Sequence, residues 1–289
     1  MPTVAAAEKL GRIVQRIRSL PTLPSVYYRV EETLRDPDTS AADVARIIES
    51  DQSIASKVLR LVNSSYFGFT SKITSLRQAI VMLGFSAVRN ALLSISVIKA
   101  FGSGNEDFNR KEFWKHALAV AATARYLSVN WRLGVHDDAY AAGILHDIGK
   151  VVLDQYLHAE FMQSLRMSQQ EKIPLHEAER RVVGASHCDV GEYLCDSWSL
   201  PVRLGEAVAL HHKPSIIRSD PRLASVVHVA DSMVRQLRLG QSGNFGPIEY
   251  NESALEELSV QPDKIGPTLS SLRQEFASNP DLFAIFEGE

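Results

Sequence analysis

The sequence predicts an all-α protein on two observations. Apolar residues recur at helical spacing through most of the chain, and no segment alternates apolar and polar residues between turn signals as a half-buried strand would. The material for a core is present as well. Of the 289 residues, 45% are hydrophobic and 22% are charged, which fits one large or two modest folded domains rather than a disordered chain.

Residues 4–19 set Val4, Leu10, Ile13, Val14 and Ile17 at helical spacing. Leu20-Pro-Thr-Leu-Pro then interrupts the backbone, because proline fixes φ and removes a donor. A second helix runs from Val26 to Leu34 and stops at Arg35-Asp-Pro-Asp-Thr. Ser40-x-x-Asp43 is a capping-box pattern ahead of Val44, Ile47 and Ile48, and Asp51 caps a helix carrying Ile54, Val58, Leu61 and Val62. Asn63–Ser71 is a break rich in turn formers and aromatic residues, followed by helices Leu76–Leu83 and Ala87–Phe101 around Gly84. Helix, glycine turn and helix also describe a DNA-reading motif. Arg77 and Arg89 make a thin recognition surface, however, and a net charge of -3 supplies no basic footprint. Nucleic acid is not an expected partner.

Gly102-Ser-Gly-Asn-Glu-Asp-Phe-Asn is polar and glycine-containing between two apolar-periodic regions, so the domain boundary is drawn there, dividing residues 1–105 from 106–289. Beyond it the periodicity predicts helices near 111–130, 138–156, 159–171, 175–197, 201–211 and 221–238, a looser Gly/Ser/Asn stretch at 240–246, and two C-terminal helices. The expected architecture is an N-terminal helical bundle packed on a second helical half. The aromatic run Tyr66-Phe67-Gly68-Phe69 is expected at the seam or on a binding face. The N-terminus lacks a basic start with an apolar core, and no apolar run approaches the ~18 residues of a membrane span. A cytoplasmic protein without membrane contact is expected. Cys188 and Cys195, seven apart on one predicted helix, form neither a disulfide framework nor a Cys-x-x-Cys pair and read as reduced packing residues.

Chemistry concentrates around Leu145-His146-Asp147-Ile148-Gly149-Lys150. The apolar helical run before it ends at the His-Asp pair, where two neighbouring side chains can grip one cation. Glu112 and His116 stand four apart, on one helical face. His187, the adjacent pair His211-His212, and Asp231 follow. Taken singly, each has an ordinary alternative: a core histidine, or a histidine complementing a helix dipole. Asp231 is the exception, since its helix is apolar enough that a carboxylate is costly to bury without a cation or donor. Together they form the ordered pattern E-x-x-x-H, HD-x-G-K, H, HH, D. This mixture of imidazole and carboxylate suits iron, manganese, cobalt or zinc rather than calcium. The donors outnumber what one first-row ion holds, so a dinuclear centre bridged by Asp147 is the economical arrangement. Lys150 is read as the group that offsets charge on a phosphate ester there. His136, His158, His176 and His228 have no place in the pattern and read as surface or packing residues.

These residues resemble the metal-binding set of the HD superfamily of phosphohydrolases, through His116, Leu145-His-Asp-Ile-Gly-Lys150, His187, Ala209-Leu-His-His-Lys-Pro and Val229-Ala-Asp231. The first half is similar to the HDOD family, through Leu20-Pro-Thr-Leu-Pro, Ile47-Ile-Glu-Ser-Asp-Gln-Ser-Ile, Leu59-Arg-Leu-Val-Asn-Ser-Ser-Tyr-Phe-Gly and Ala79-Ile-Val-Met-Leu-Gly. Leu175-His-Glu-Ala-Glu and Trp198-Ser-Leu-Pro match the same family pattern, and the resemblance spans roughly residues 15–240. It implies a bacterial, all-helical signalling module whose second half is an HD-like domain, and it tilts the metal toward iron. Many HDOD members have lost the ligands; here the set is complete and resembles that of the HD-GYP phosphodiesterases, which open cyclic di-GMP. No Gly-Tyr-Pro lies between His212 and Asp231, and Arg235 and Arg238 do not reproduce the downstream substrate-binding run, which argues against cyclic di-GMP. The expected function is a dinuclear-metal phosphohydrolase acting on a phosphate ester or nucleotide, with Asp147 and Lys150 as catalytic residues. The alternative is a non-catalytic, metal-containing scaffold that binds a signalling partner.

Overall fold

The protein is described from a computed structural model over residues 20–64, 72–102, 107–216 and 220–286. The helix expected over 4–19 and the aromatic run at 66–69 lie outside the described residues. Among those described, regular structure is helical throughout, no strand occurs, and no helix is long and apolar enough to cross a membrane.

The chain groups into two compact units. One holds Thr22–Gly102 with the segment from Gly266 onward; the other holds Ser103–Ile265 with the segment ending at Pro21. In the first, α1 (Ser25–Thr33), α2 (Ala41–Glu49), α3 (Gln52–Val62), α4 (Leu76–Leu83) and α5 (Phe85–Phe101) pack α1 on α2, α2 on α4, and α3 on α5. The starts follow the sequence. Ser40 Oγ accepts from the Asp43 amide at 3.3 Å while Asp43 accepts from the Ser40 amide at 3.2 Å, and Asp51 accepts from the Ile54 amide at 3.0 Å. The side chains of Ile48, Ile54, Val58 and Leu61 are fully buried between these helices.

In the second unit, α6 (Arg110–Asn130), α7 (His136–Leu145), α8 (Ile148–Tyr156), α9 (His158–Glu171), α10 (Leu175–Val182), α11 (His187–Ser197), α12 (Val202–Leu210), α13 (Pro221–Leu237) and α14 (Glu252–Glu257) follow in order. Helix α7 lies in the middle, packed by α6, α12 and α13. Every residue from Ala139 to Leu145 is buried, as a helix apolar on all sides must be. Helix α8 packs on α9 and α11. Arg110, at the start of α6, reaches Asp154 on α8 with Nε at 2.9 Å and also donates to the Val151 carbonyl at 3.2 Å. Asp154 in turn accepts from His158 at 2.8 Å, so this buried charge is paired on both sides. Helix α15 (Ile265–Ser278) and the 3₁₀ turn Pro280–Phe286 end the described chain, and the turn packs on α3.

Two predicted helices are in fact pairs. The expected helix 138–156 breaks at His146-Asp147 into α7 and α8, and the expected helix 175–197 breaks between Val182 and His187 into α10 and α11. Apolar periodicity runs across both breaks, so it carries no signal of them. Helix α5 begins at Phe85, directly after Gly84 and two residues ahead of its expected start.

Candidate metal centre

The interrupted helices build the site. His146 caps the C-terminus of α7 and Asp147 the N-terminus of α8, so both side chains leave the backbone at a corner. The next turn holds Gly149, where an added Cβ would lie 1.9 Å from the His187 carbonyl oxygen. Only glycine lets α8 touch the start of α11 this closely. Gly143 does the same between α7 and α6, since a Cβ there would meet the Ala121 Cα at 2.6 Å. His187 is the first residue of α11, not a mid-helix residue. Ser186 sets that start by donating from its amide and its hydroxyl to Asp189, at 2.7 Å each. His211 caps the C-terminus of α12 with His212 beside it, and His116 and Asp231 project from buried parts of α6 and α13.

Asp147 is at the centre, and its two oxygens face different partners. Oδ2 lies 3.2 Å from His146 Nε2 and 4.0 Å from His116 Nε2. Oδ1 lies 3.3 Å from His187 Nε2 and 3.8 Å from His211 Nε2. Asp231 Oδ1 is 3.1 Å from His116 Nε2 and 4.0 Å from His146 Nε2. His212 Nε2 lies 3.2 Å from His187 Nε2.

The opposite ring nitrogens are tied down. His146 Nδ1 bonds the Gly143 carbonyl at 2.7 Å, His211 Nδ1 the Val208 carbonyl at 2.8 Å, and His187 Nδ1 the Glu179 carboxyl at 2.6 Å. Such bonds fix the tautomer in which Nε2 carries the lone pair, the usual outer-shell arrangement of metal-binding histidines.

The residues fit a metal. His146, His187 and His211 are wholly buried, and His116, Asp147 and Asp231 are no more than 5% exposed. Yet His116 Nε2, His146 Nε2, His211 Nε2, Asp147 Oδ1 and Asp231 Oδ1 have no aligned hydrogen-bond partner. Buried polar atoms without partners are costly, and five of them converging on one place are explained by a cation. Donor atoms of His116, His146 and Asp231, and of His146, Asp147 and His211, lie within 4.8 Å of one another in two groups. Electrostatics agree. Burial pushes the His211 imidazole down to about 3, with His146 adding to the fall. Burial also lowers His116 and, with the Lys150 ammonium, His187, so these rings are neutral and ready to ligate. Burial alone would raise Asp147, but His146 and Lys150 hold it well below the usual carboxylate range.

Lys150 Nζ donates to Asp147 Oδ2 at 2.5 Å and to the Ser242 carbonyl at 3.0 Å. It is buried beside the cluster, as its spacing from Asp147 predicts. Glu112 is not brought among the donors. It sits in the first turn of α6, its side chain about a third exposed, with Lys115 at 4.0 Å. Three residues outside the sequence pattern do adjoin the cluster. Glu179 accepts from both the amide and Nδ1 of His187, at 2.7 and 2.6 Å, and burial pushes its carboxyl up to about 8. His176 stacks on His212 with ring centres 4.4 Å apart. Cys188 shares a donor group with His187, His211 and His212. His228 acts one shell out, its Nδ1 bonding the His211 carbonyl at 2.9 Å.

A family profile for the HDOD domain matches residues 20–214. The chain belongs to the HDOD family. Its helices and the geometry of its candidate metal clusters agree with an HD-superfamily fold. The HDOD chain is similar to a solved HDOD domain protein of unknown function from Geobacter sulfurreducens, 27% identical, with a TM-score of 0.78, over 98% of this chain and 96% of that one. A proposed phosphohydrolase from Shewanella amazonensis SB2B shares the fold at 20% identity and a TM-score of 0.75, over 95% of this chain and 97% of that one. A Treponema pallidum (strain Nichols) protein is 25% identical over 227 residues, 78% of this chain. This chain spans 44% of that relative's length.

Proposed function

We propose that this HDOD chain is a metal-dependent phosphohydrolase that cleaves a phosphodiester or nucleotide ester in cytoplasmic bacterial signalling. Two ions are held by His116, His146, Asp147, His187, His211, His212 and Asp231. The observation that carries the reading is the two-sided Asp147, with His146 and His116 at one carboxylate oxygen and His187 and His211 at the other. That arrangement supports a carboxylate that would hold one ion on each side. Iron is the proposed metal, with manganese or zinc suited to the same donors. Glu112 is left outside the first set of ligands. When bound, such ions supply Lewis acidity toward a phosphoryl oxygen and lower the pKa of water.

The chain's own residues do the rest. Asp147 fixes the spacing of the two positions. Burial keeps His116, His187, His211 and His212 neutral, so they take up no protons that would compete with ligation, whereas Asp147 raises His146 against its burial and that ring gives up its proton on ligation. Lys150 keeps its ammonium beside Asp147 Oδ2, able to offset charge developing on the ester oxygens in a dry site where such an interaction is strong.

The near-complete burial of the donors favours a second reading, in which the metal is structural and residues 1–105 present a surface to a signalling partner. Two substitutions separate the readings. Asp147→Ala abolishes metal binding and hydrolysis together. Lys150→Ala keeps the metal while turnover falls by ~10²–10³-fold, the order seen when one transition-state charge donor is removed. Metal-loaded wild-type protein that is inactive on generic phosphodiesters, nucleotides and cyclic dinucleotides, while binding a partner protein, would replace the first reading with the second.

A further inference from the structure

The three candidate donor groups differ in chemistry. Two contain only imidazole and carboxylate; the third, His187, Cys188, His211 and His212, brings in a sulfur. We propose that Cys188 supplies a thiolate ligand to the ion on the His187–His211–His212 side of the centre, adding sulfur to a position that also shares the Asp147 carboxylate, while the other position has nitrogen and oxygen donors only. This rests on the reading of the cluster as a metal centre and specifies one of its halves.

The geometry is within reach. Cys188 follows His187 in the first turn of α11, is 3% exposed, and has its sulfur within 4.8 Å of a donor atom of each of the three histidines. In a tetrahedral site, metal–nitrogen and metal–sulfur bonds of ~2.0–2.1 and ~2.3 Å put nitrogen and sulfur ~3.6 Å apart. Sulfur and nitrogen therefore close by at most ~1.2 Å, within the rotamer freedom of a cysteine and a histidine side chain. An independent observation also points to a ligand there: His211 Nε2, in the same group of residues, is wholly buried without a hydrogen-bond partner. The chain carries its own control. Cys195, seven residues on in the same helix, is equally buried and free but joins no donor group.

The chemistry balances simply. The sulfur–metal bond forms as the thiol proton leaves to solvent, so loading this half releases one proton more than its histidines account for. A soft thiolate beside imidazoles favours zinc or cobalt over manganese. The two positions of the centre then differ in metal preference, and the ion on the sulfur side is the less hard of the pair.

Cobalt(II) substitution of the full chain under reducing conditions tests this. The wild type and Cys195→Ala are expected to show a sulfur-to-cobalt charge-transfer band in the near ultraviolet. Cys188→Ala and the isosteric Cys188→Ser are expected to lose it while histidine-bound cobalt still gives its visible ligand-field bands. X-ray absorption on the zinc-loaded wild type, which needs no variant to fold, is expected to find a sulfur scatterer at ~2.3 Å. Cobalt or zinc bound with nitrogen and oxygen neighbours only would overturn the thiolate and leave the metal centre standing. Failure of either metal to bind would overturn both.

Discussion

Replacing Gly149 by alanine tests how the fold holds the site together. The added methyl would sit 1.9 Å from the His187 carbonyl oxygen and 2.8 Å from the His187 Cα. An unstrained carbon–oxygen contact needs ~3.3 Å, so α8 and α11 must part by about 1.4 Å. Backbone is being pushed rather than a flexible side chain. Overpacking of this kind costs ~1–3 kcal/mol, against a helix-propensity gain of at most ~1 kcal/mol for replacing glycine. A net loss of ~1 kcal/mol lowers the unfolding midpoint of a chain this size by ~2–4 °C. The same displacement carries His187 Nε2 away from Asp147 Oδ1, now 3.3 Å distant. Metal content is therefore expected to fall toward one ion per chain. Calorimetry of the metal-free protein and elemental analysis of the loaded protein measure the two effects. Gly266→Ala is the control, because a Cβ there meets nothing within 4 Å, and it is expected to be neutral or slightly stabilising. A Gly149→Ala protein with an unchanged midpoint and full metal content would refute the argument that this contact positions His187.

Two further outcomes follow from groups around the cluster. Glu179→Ala is expected to weaken metal affinity ~10–100-fold by releasing His187 Nδ1, with Glu179→Gln recovering part of it through the same two hydrogen bonds; equal affinities across the three proteins would exclude a positioning role. For His176, burial first, and then Arg180 and Lys213, push the imidazole down to about 4. The unfolded chain therefore binds a proton below ~6.5 that the folded chain refuses, and stability is lost as pH falls from ~6.5 to about 4, by at most ~3 kcal/mol from this group. His176→Phe should flatten the pH dependence of metal-free stability over that window, and an unchanged slope in denaturant titrations would contradict the assignment.

The parts of the site that were legible in the sequence are those where chemistry follows from local pattern. His146-Asp147 ends an apolar helical run, and Lys150 follows at a spacing that returns it to Asp147. What stayed hidden depends on backbone breaks and long-range packing. Because hydrophobic periodicity continues through 138–156 and 175–197, His187 read as a mid-helix residue although it opens α11. Glu179 lies eight residues from His187, across a turn, so no helical spacing linked them. Cys188 lacked a Cys-x-x-Cys partner, and its companions come from α12, which sequence distance conceals. The Glu112–His116 spacing aligns two side chains on one face of α6, but a full turn along the axis leaves Glu112 toward solvent beside Lys115. In the first unit, the capping residues Ser40 and Asp51 start their helices as expected, because a cap acts through its own neighbours.

The most direct measurement of the central claim is metal stoichiometry with anomalous diffraction on full-length protein prepared without chelator and supplied with iron, manganese and zinc. About two ions per chain are expected, one on each side of Asp147, both lost in Asp147→Ala. Metal-replete protein whose His116, His146, His187, His211 and Asp231 side chains point apart, with no anomalous peak between them, would contradict it.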